Sequence, residues 1–327
     1  MSGARTGPLV EVRDLRKYFE IKAQTLREAT AVLKAVDGVS FDVAPGEVLG
    51  IVGESGCGKS TLGRTILRLH EKTGGTVRFE GRDLFALGKQ DAKAIRRDMQ
   101  MIFQDPFSSL NPRMTIGQIV GEPLAIHGLA KGSERRDRVA EMLQKVGLNR
   151  EHANRYPHAF SGGQRQRVGI ARALIMKPSL VVADEAVSAL DVSVQAQVIN
   201  LLEDLREEFK LTYVFIAHDL SVVRHLCDRV AVMYAGRIVE LAATAALFAS
   251  PKHPYTQALL SAVPRVDPDV RMNFDLVGEV ADPANLPCGC SFHPRCPRCD
   301  ACCRQSPPMP REVADGHFVA CHQPRAS

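Results

Sequence analysis

The chain has 327 residues and a formal net charge of +5, with 45% hydrophobic and 24% charged residues. This is ordinary globular composition, and the length suits one full-sized α/β core with a small additional module. The charge is too mild to predict nucleic-acid binding, and no apolar run reaches the roughly 18 residues needed to span a bilayer. We therefore expect a soluble protein that would act at a membrane only through a partner.

The first part of the chain predicts antiparallel strands separated by a polar segment. Residues 10–12 and 39–43 alternate apolar and polar side chains, as half-buried strands do. Residues 20–33 show little periodicity and are interpreted as an inserted loop. Phe19 or Tyr18, just before this loop, is a candidate for stacking on a nucleotide base, and packing in the core is the alternative for either ring.

A glycine-rich stretch follows a buried strand and opens a helix. Residues 53–60 match G-x-x-x-x-G-K-[ST] between an apolar run at 48–52 and helical spacing at 61–69. The glycines let backbone N–H groups converge on phosphates, with Lys59 placed for the β- and γ-phosphates and the Ser60 hydroxyl for Mg²⁺. The predicted contacts to a nucleoside triphosphate are Gly53, Ser55, Gly56, Cys57, Gly58, Lys59, Ser60 and Thr61.

A helical insert is predicted between two parts of the sheet. The strand pattern at 99–103 is broken at residues 104–106. Helical periodicity then covers residues 115–127 and 133–146, with Ser133 as the predicted N-cap of the second helix.

A second glycine pair stands at the start of a later helix. Residues 160–167 read Phe-Ser-Gly-Gly-Gln-Arg-Gln-Arg and open a helical run. Glycines at a helix start leave N–H groups aimed at an anion, and Ser161 can cap the helix and donate to a phosphate oxygen. Alone, such a pair is weak evidence for a phosphate site.

Charged side chains follow the next two buried strands. The apolar run at 180–183 ends in Asp184 and Glu185, which suit an Mg²⁺ carboxylate and a group that polarises the attacking water. The ordinary alternative for an acidic pair after a strand is a solvated turn. His218, after the strand at 212–216, is either a γ-phosphate ligand or a structural histidine.

Taken together and in this order, the motifs resemble those of the ATP-binding cassette (ABC) ATPases over roughly residues 9–264. The resemblance implies an α/β P-loop fold with a RecA-like mixed sheet core, an antiparallel β subdomain and an α-helical subdomain. It implies ATP and Mg²⁺, with Mg²⁺ held through Ser60, Gln104 and Asp184. It also implies that Gln104 senses the attacking water, that Glu185 is the general base and that His218 is the γ-phosphate switch.

The resemblance further implies that two subunits share each ATP site. Asp191 would report between the two sites, and Phe19 falls on the adenine-stacking position, with Tyr18 as the alternative. Ala186 departs from the family, which usually has proline there, but no reacting group is lost and activity is expected to survive. The residues implied to bind the γ-phosphate of the opposite subunit's nucleotide lie in the signature Ser161, Gly162, Gly163 and Gln164.

Residues 108–113, 188–197 and 252–260 narrow the resemblance to the peptide importer branch, which energises uptake of dipeptides, oligopeptides, nickel chelates or glutathione. Residues 56–64 and the polar insert resemble its F-type ATPase subunit. The implied partners are a paralogous D-type ATPase subunit, two transmembrane permeases and an extracytoplasmic peptide-binding protein. The implied location is peripheral, on the cytoplasmic face of the bacterial membrane.

Prolines and cysteines replace the helical and strand patterns after Pro264. We therefore predict an ATPase domain over residues 1–262, with its helical subdomain at about 105–177, and a Cys-rich extension over 263–327. Cys57 and Cys227 lie outside this extension, and the other cysteines crowd its last forty residues. Such crowding in a cytosolic enzyme indicates metal binding before disulfides.

The peptide importer branch often carries a Gly-Cys-x-Phe-x-Pro-Arg-Cys-Pro pattern and a closing Ala-Cys-His, found here at 289–297 and 320–322. Four thiolates suit a [4Fe–4S] cluster or tetrahedral zinc, and irregular loops between them favour the cluster. Free thiols are the simplest alternative, and Cys299 or Cys302 could compete as ligands. By family spacing, the implied ligands are Cys290, Cys296, Cys303 and Cys321.

Two other functions fit the sequence less well than transport. Soluble ABC ATPases that act on ribosomes or DNA carry two cassettes or long coiled-coil arms, whereas this chain has one cassette, no heptad run and no basic block. A GTPase or kinase built on the same phosphate loop leaves the Ser-Gly-Gly-Gln segment without a role.

Overall fold

The computed structural model describes residues 7–21, 31–261 and 281–325. These residues group into two compact units. The first unit is formed by the described parts of Met1–Ala44, Val48–Phe85 and Ala217–Ser327, and the second by Pro45–Glu47 and Ala86–Ile216.

Strands occur in both units and differ in how they are covered. Those near the N-terminus have mixed burial, whereas several later ones are buried at every position, as in parallel sheets covered on both faces. In chain order the strands are β1 (Val10–Ile21), β2 (Ala31–Val43), β3 (Val48–Val52), β4 (Gly74–Phe79), β5 (Arg82–Asp83), β6 (Met99–Ile102), β7 (Leu180–Asp184), β8 (Thr212–Ile216), β9 (Arg229–Tyr234), β10 (Arg237–Ala243), β11 (Arg311–Ala314) and β12 (His317–Val319).

Helices follow half of these strands directly. They are α1 (Lys59–Ile66), α2 (Lys89–Ile95), α3 (Pro106–Ser109), α4 (Ile116–Ile126), α5 (Gly132–Lys145), α6 (Gly162–Leu174), α7 (Val192–Phe209), α8 (Leu220–Leu226), α9 (Thr244–Ala249), α10 (Pro254–Ser261) and α11 (Ala301–Gln305). Short 3₁₀ turns occupy Arg150–Asn154, Pro157–Ala159 and His293–Arg295. Among the described residues, no helix combines the length and apolar character needed to cross a bilayer.

The first unit contains an antiparallel sheet and a mixed one. The antiparallel strands have the order β2-β1-β4-β5, as predicted for the N-terminal part of the chain. The second set has the order β11-β12-β10-β9-β3, in which β3 and β9 run parallel and the other pairs antiparallel. The last strand pair of the Cys-rich extension therefore continues the sheet of this unit.

One buried carboxylate reinforces the junction between β10 and the extension. Glu240 on β10 is fully buried and lies opposite Val319 of β12. Its Oε1 lies 2.7 Å from Nε2 of His317, and its two oxygens accept the backbone N–H groups of Lys252 and His253. Since a buried carboxylate needs such partners, the extension and the rest of the unit depend on each other at this point.

The second unit places three parallel strands side by side in the order β8-β7-β6. All side chains of β7 and β8 are buried. The register pairs Ile102 of β6 with Ala183 of β7, and Asp184 with Ile216 of β8. The residues that follow these strands therefore emerge together at one edge of the sheet.

Two details differ from the sequence-based prediction. The inserted loop at 20–33 is too long, because β1 and β2 stay paired up to Ile21 and Ala31 and only residues 22–30 lie outside the described ranges. Ser133 is not the N-cap of α5, because the helix begins at Gly132, two residues before the start that an N-cap at Ser133 would give. The N-cap is Lys131, whose side chain makes no capping bond to any described residue.

The predicted boundary at residues 262–263 lies outside the described residues. Residues 281–325 group with 217–261 in the same compact unit. The division into an ATPase domain and an extension stays a prediction.

The N-cap of α4, Thr115, can be compared by mutation with Ser133, which does not cap α5. Its side chain accepts from the Gln118 N–H, whose own side chain accepts from the Thr115 N–H, which forms a capping box for α4. We expect Thr115→Ala to lower the free energy of unfolding by about 1 kcal/mol, since a cap is lost. Urea denaturation measures this, with Ser133→Ala as the matched control that should change stability by less than about 0.5 kcal/mol. An equal loss in both variants would contradict the observed start of α5.

Candidate nucleotide site

The glycine-rich loop joins β3 to α1 in the first unit. Gly53, Gly56 and Gly58 have φ values of +154°, +80° and +104°, which favour glycine. A Cβ atom on Gly53 would lie 2.1 Å from the Met233 carbonyl oxygen, and one on Gly58 would lie 1.9 Å from that of Ala35. The backbone of the loop is thus pressed against its neighbours, which leaves its N–H groups in a fixed place.

Lys59 folds back onto this loop. The side chain is buried, and its Nζ donates to the carbonyl oxygens of Gly53 at 2.8 Å and Glu54 at 3.0 Å. A buried ammonium needs acceptors, and here the loop provides them. Cys57 is also buried, and desolvation raises the pKa of its thiol, so this side chain acts as a small packing group. Ser60 and Thr61 are half-buried at the start of α1.

The two aromatic candidates for base stacking have different surroundings. Phe19 is half-buried, with His70 edge-on at 5.6 Å and the Lys17 ammonium 4.5 Å from its ring centre. The Tyr18 hydroxyl donates to Asp37 at 2.5 Å, and partial burial raises the pKa of Tyr18 to about 12. Because Tyr18 is committed to this hydrogen bond, Phe19 is the better stacking candidate.

His218 is exposed and precedes Asp219, which caps α8 by accepting from the Ser221 N–H at 2.8 Å. It belongs to the first unit, together with the glycine-rich loop.

In the second unit, Gln104 and Glu185 meet at the ends of β6 and β7. Gln104 Nε2 donates to Glu185 Oε2 at 2.7 Å. Since Ile102 pairs with Ala183, the parallel register puts position 104 opposite position 185. Asp184, the last residue of β7, is fully buried. Three predicted site residues are thus brought together by strand pairing.

The backbone of Glu185 has an unusual conformation. Its φ is +46°, a left-handed value that costs a non-glycine residue about 1–3 kcal/mol. The neighbouring chain holds it there, because the Glu185 N–H donates to the Ile216 carbonyl and its own carbonyl accepts from Ser188 N–H and Oγ. Ala186, where the family usually has proline, is buried at 2% exposure in this hydrogen-bonded turn.

The signature segment forms the predicted helix start. Ser161 is exposed and caps α6 in a capping box, accepting from the Gln164 N–H while Gln164 Oε1 accepts from the Ser161 N–H. Gly162 and Gly163 form the first turn, where a Cβ on Gly163 would lie 2.4 Å from Val194 on α7. Asp191, the N-cap residue of α7, is also exposed.

Four cysteines of the extension line one small cavity, together with His253, Phe292 and His322. Its volume is about 10 Å³. Cys302 and Cys303 also form a group with Asp300 whose ligand atoms lie within 4.8 Å of one another. The cysteines lining the cavity are the predicted set, Cys290, Cys296, Cys303 and Cys321.

Two contacts of the glycine-rich loop were missed by sequence reasoning. The Glu54 carboxylate binds Arg295, and the Glu54 N–H donates to the Tyr255 hydroxyl at 2.8 Å. These partners lie 241 and 201 positions away, so no local pattern could have identified them.

Comparison with known families agrees with the motifs. The family model described as ABC transporter matches residues 36–188, and the model described as oligopeptide/dipeptide transporter, C-terminal region, matches residues 239–303.

Curated relatives match nearly the whole chain. The oligopeptide transport ATP-binding protein AppF of Bacillus subtilis is 54% identical over 98% of this chain and 99% of its own length. A probable peptide ABC transporter ATP-binding protein of Sinorhizobium fredii, y4tS, is 53% identical over 96% of this chain and 89% of its own length.

Solved structures of ATP-binding cassettes confirm the predicted fold class. The dimeric post-hydrolysis cassette MJ0796, bound to ADP and phosphate, has a TM-score of 0.64 and 32% identity, covering 72% of this chain and 98% of the cassette. CbiO1 of Clostridium perfringens, part of an ABC transporter complex, has a TM-score of 0.64 and 26% identity, covering 74% of this chain and 91% of that protein. The chain therefore belongs to the ABC transporter ATP-binding proteins of the oligopeptide/dipeptide importer family.

Proposed function

We propose that this chain is the ATP-hydrolysing subunit that energises import of dipeptides or oligopeptides through an ABC transporter. The observation that carries the ATPase assignment is the Gln104–Glu185 hydrogen bond, which joins an amide and a carboxylate at the ends of two adjacent parallel strands. The names of the relatives and the matched C-terminal family support peptides as the cargo. Nickel chelates or glutathione are the alternative cargo within this branch.

The glycine-rich loop is proposed to bind the phosphates of ATP. Lys59 would exchange its bonds to the Gly53 and Glu54 carbonyls for bonds to the β- and γ-phosphates. The loop N–H groups add further donors, because the close approach of its backbone to Met233 and Ala35 holds them in place. Phe19 would stack on the adenine.

Mg²⁺ is proposed to be held by Ser60, Gln104 and Asp184, which supply the oxygen ligands that this ion prefers. When bound, it would neutralise charge on the phosphates. The carboxylate of Asp184, fully buried at the carboxyl end of β7, fits such a role because Mg²⁺ prefers oxygen ligands.

Glu185 is proposed as the general base that takes a proton from the attacking water. Gln104, bonded to its carboxylate, would orient that water, and His218 would contact the γ-phosphate. The left-handed backbone of Glu185 is strained, and strain of this kind is concentrated at functional sites. Catalysis of this type depends mainly on positioning and charge stabilisation.

The complete site is proposed to form between two ATPase subunits. The exposed position of Ser161 supports this, because the signature helix presents its capped end to the surface of its unit. Asp191 would communicate between the two sites.

The proposed partners are a D-type ATPase subunit, two permeases and an extracytoplasmic peptide-binding protein, with this chain peripheral on the cytoplasmic membrane face. A soluble, non-transport ABC ATPase is less well supported, since the relatives are named for peptide transport.

The four cysteines lining the small cavity are proposed to hold a [4Fe–4S] cluster, with zinc as the alternative. Their thiols supply the right donor number for both. The metal would stabilise a loop-rich module that is too small for a core of its own.

Glu185→Gln tests the general base. We expect phosphate release to fall by about 10²–10⁴-fold, because the amide cannot accept the proton, while ATP binding is retained. Phosphate release and the Kd for a fluorescent ATP analogue provide the two measurements. Glu207→Gln, an exposed residue of α7, is the matched control and should hydrolyse ATP normally. Normal turnover in Glu185→Gln would rule out this residue as the base.

The shared site predicts complementation between two inactive chains. Ser161→Arg damages the signature and Glu185→Gln damages the base, so each variant alone should be inactive. When two copies of this chain pair with each other, in the absence of the D-type subunit, a mixture of the two variants should recover about one quarter of the wild-type rate, since about half of random dimers are mixed and each has one intact site. Phosphate release measures this, and native mass spectrometry confirms the mixed dimer. Full activity of either variant alone, or a mixed dimer without activity, would contradict the shared site.

The metal in the extension can be identified by anaerobic purification. We expect a brown protein that absorbs at about 400 nm and contains about four iron atoms per chain. Cys321→Ser should lose the colour and the iron, whereas Cys288→Ser, which does not line the cavity, should keep both. A colourless protein with one zinc ion would replace the cluster by tetrahedral zinc, and a metal-free protein would leave free thiols.

A further inference from the structure

The Cys-rich extension reaches the phosphate-binding loop through one ion pair. Arg295 ends the 3₁₀ turn His293–Arg295, next to Cys296. Its Nη1 lies 2.7 Å from Glu54 Oε2 and its Nη2 lies 3.1 Å from Glu54 Oε1. The Arg295 side chain is 5% exposed and that of Glu54 is 23% exposed. The contact is therefore a two-pronged and largely desolvated pair within the first unit.

Such a pair holds its two partners firmly. Two parallel hydrogen bonds fix the orientation of guanidinium and carboxylate, not only their separation. The bond to Glu54 raises the pKa of Arg295, so the guanidinium stays charged. Because removal of one partner leaves a buried charge unpaired, this contact resists opening.

Glu54 is held at three points. Its side chain binds Arg295, its N–H donates to the Tyr255 hydroxyl at 2.8 Å, and its carbonyl accepts from Lys59 Nζ at 3.0 Å. Tyr255 is fully buried, and its ring lies 5.4 Å from that of Phe292, three residues before Arg295. Two of the three holding groups thus come from or rest on the extension.

We infer that Arg295 is a positioning residue for the nucleotide site, which acts by fixing Glu54 and with it the first turn of the phosphate loop. Lys59 has to leave the Glu54 carbonyl in order to reach a phosphate. With Glu54 held from outside, the loop keeps its shape when Lys59 moves. The conformational entropy of the loop is then lost when the protein folds and not when the nucleotide binds, which favours tighter binding.

This role predicts an effect on affinity rather than on chemistry. Arg295 contacts Glu54, which is not one of the proposed reacting groups. Its loss should therefore raise the Kd for nucleotide and the KM for ATP, and leave kcat nearly unchanged. Coupling of this kind is reciprocal, so bound nucleotide should also make the extension around residues 292–296 more rigid.

The test uses the full chain with its extension as purified. Glu54→Gln and Arg295→Met remove one side of the pair each, and the double variant closes a mutant cycle. Each single variant should raise the Kd for ADP about three- to tenfold, and the double variant should be no weaker than the singles. Hydrogen exchange of residues 53–58 without nucleotide should be faster in Arg295→Met.

Arg298→Met is the matched control. It removes a 2.9 Å hydrogen bond between the extension and Gln257 of α10, and should leave the Kd unchanged. If Arg295→Met folds poorly, Arg295→Lys keeps the charge without the two-pronged bond and should give an intermediate Kd. The charge exchange Glu54→Arg with Arg295→Glu should bring the Kd back toward the wild-type value.

Three results would overturn this inference: a wild-type Kd in both single variants, an equal rise in Kd for Arg298→Met, or a loss of kcat at unchanged Kd. The inference takes nucleotide binding by the family as given. Failure of that premise is distinguishable, because the wild-type chain itself would then bind neither ADP nor ATP.

Discussion

Parallel pairing of β6 with β7 is the constraint on which the proposed chemistry depends. The register that joins Ile102 to Ala183 carries Gln104 to Glu185, although these residues are 81 positions apart in the sequence. The contact does not depend on the conformation of a long loop, since both side chains directly follow paired strands and lie at the same edge of the sheet. A shift of the register by one residue would separate them and turn every side chain of the strand to the opposite face.

The phosphate loop shows how a charged site is kept intact before its ligand arrives. Lys59 is an ammonium inside the protein, and the loop meets its need for acceptors with its own carbonyls. These bonds go to neutral carbonyl oxygens, so Lys59 can exchange them for stronger bonds to a negatively charged phosphate. Because Arg295 holds Glu54, Lys59 can change partners while the rest of the loop keeps its shape.

The sequence predicts the structure best where a site residue lies in a short motif that also determines the local backbone conformation. The glycine-rich loop, the capped signature helix and the strand ending at Asp184 are encoded within a few residues each, and the structure contains all three. The start of α5 was predicted wrongly because Ser133 is a common N-cap residue, whereas the structure begins the helix at Gly132, which has a φ of +55°. The Arg295–Glu54 pair could not be predicted from the sequence, because two single charged residues 241 positions apart form no recognisable pattern.

The pairing of β12 with β10 has a consequence for how the chain is made. Until His317 and Val319 have been synthesised, β10 presents an open edge and Glu240 lacks one of its buried partners. Open strand edges pair readily with other chains, and nascent chains are most exposed to this during translation. The β11–β12 pair thus covers the edge of β10, so chains that lack this pair would be prone to aggregate whatever the state of their ATP site.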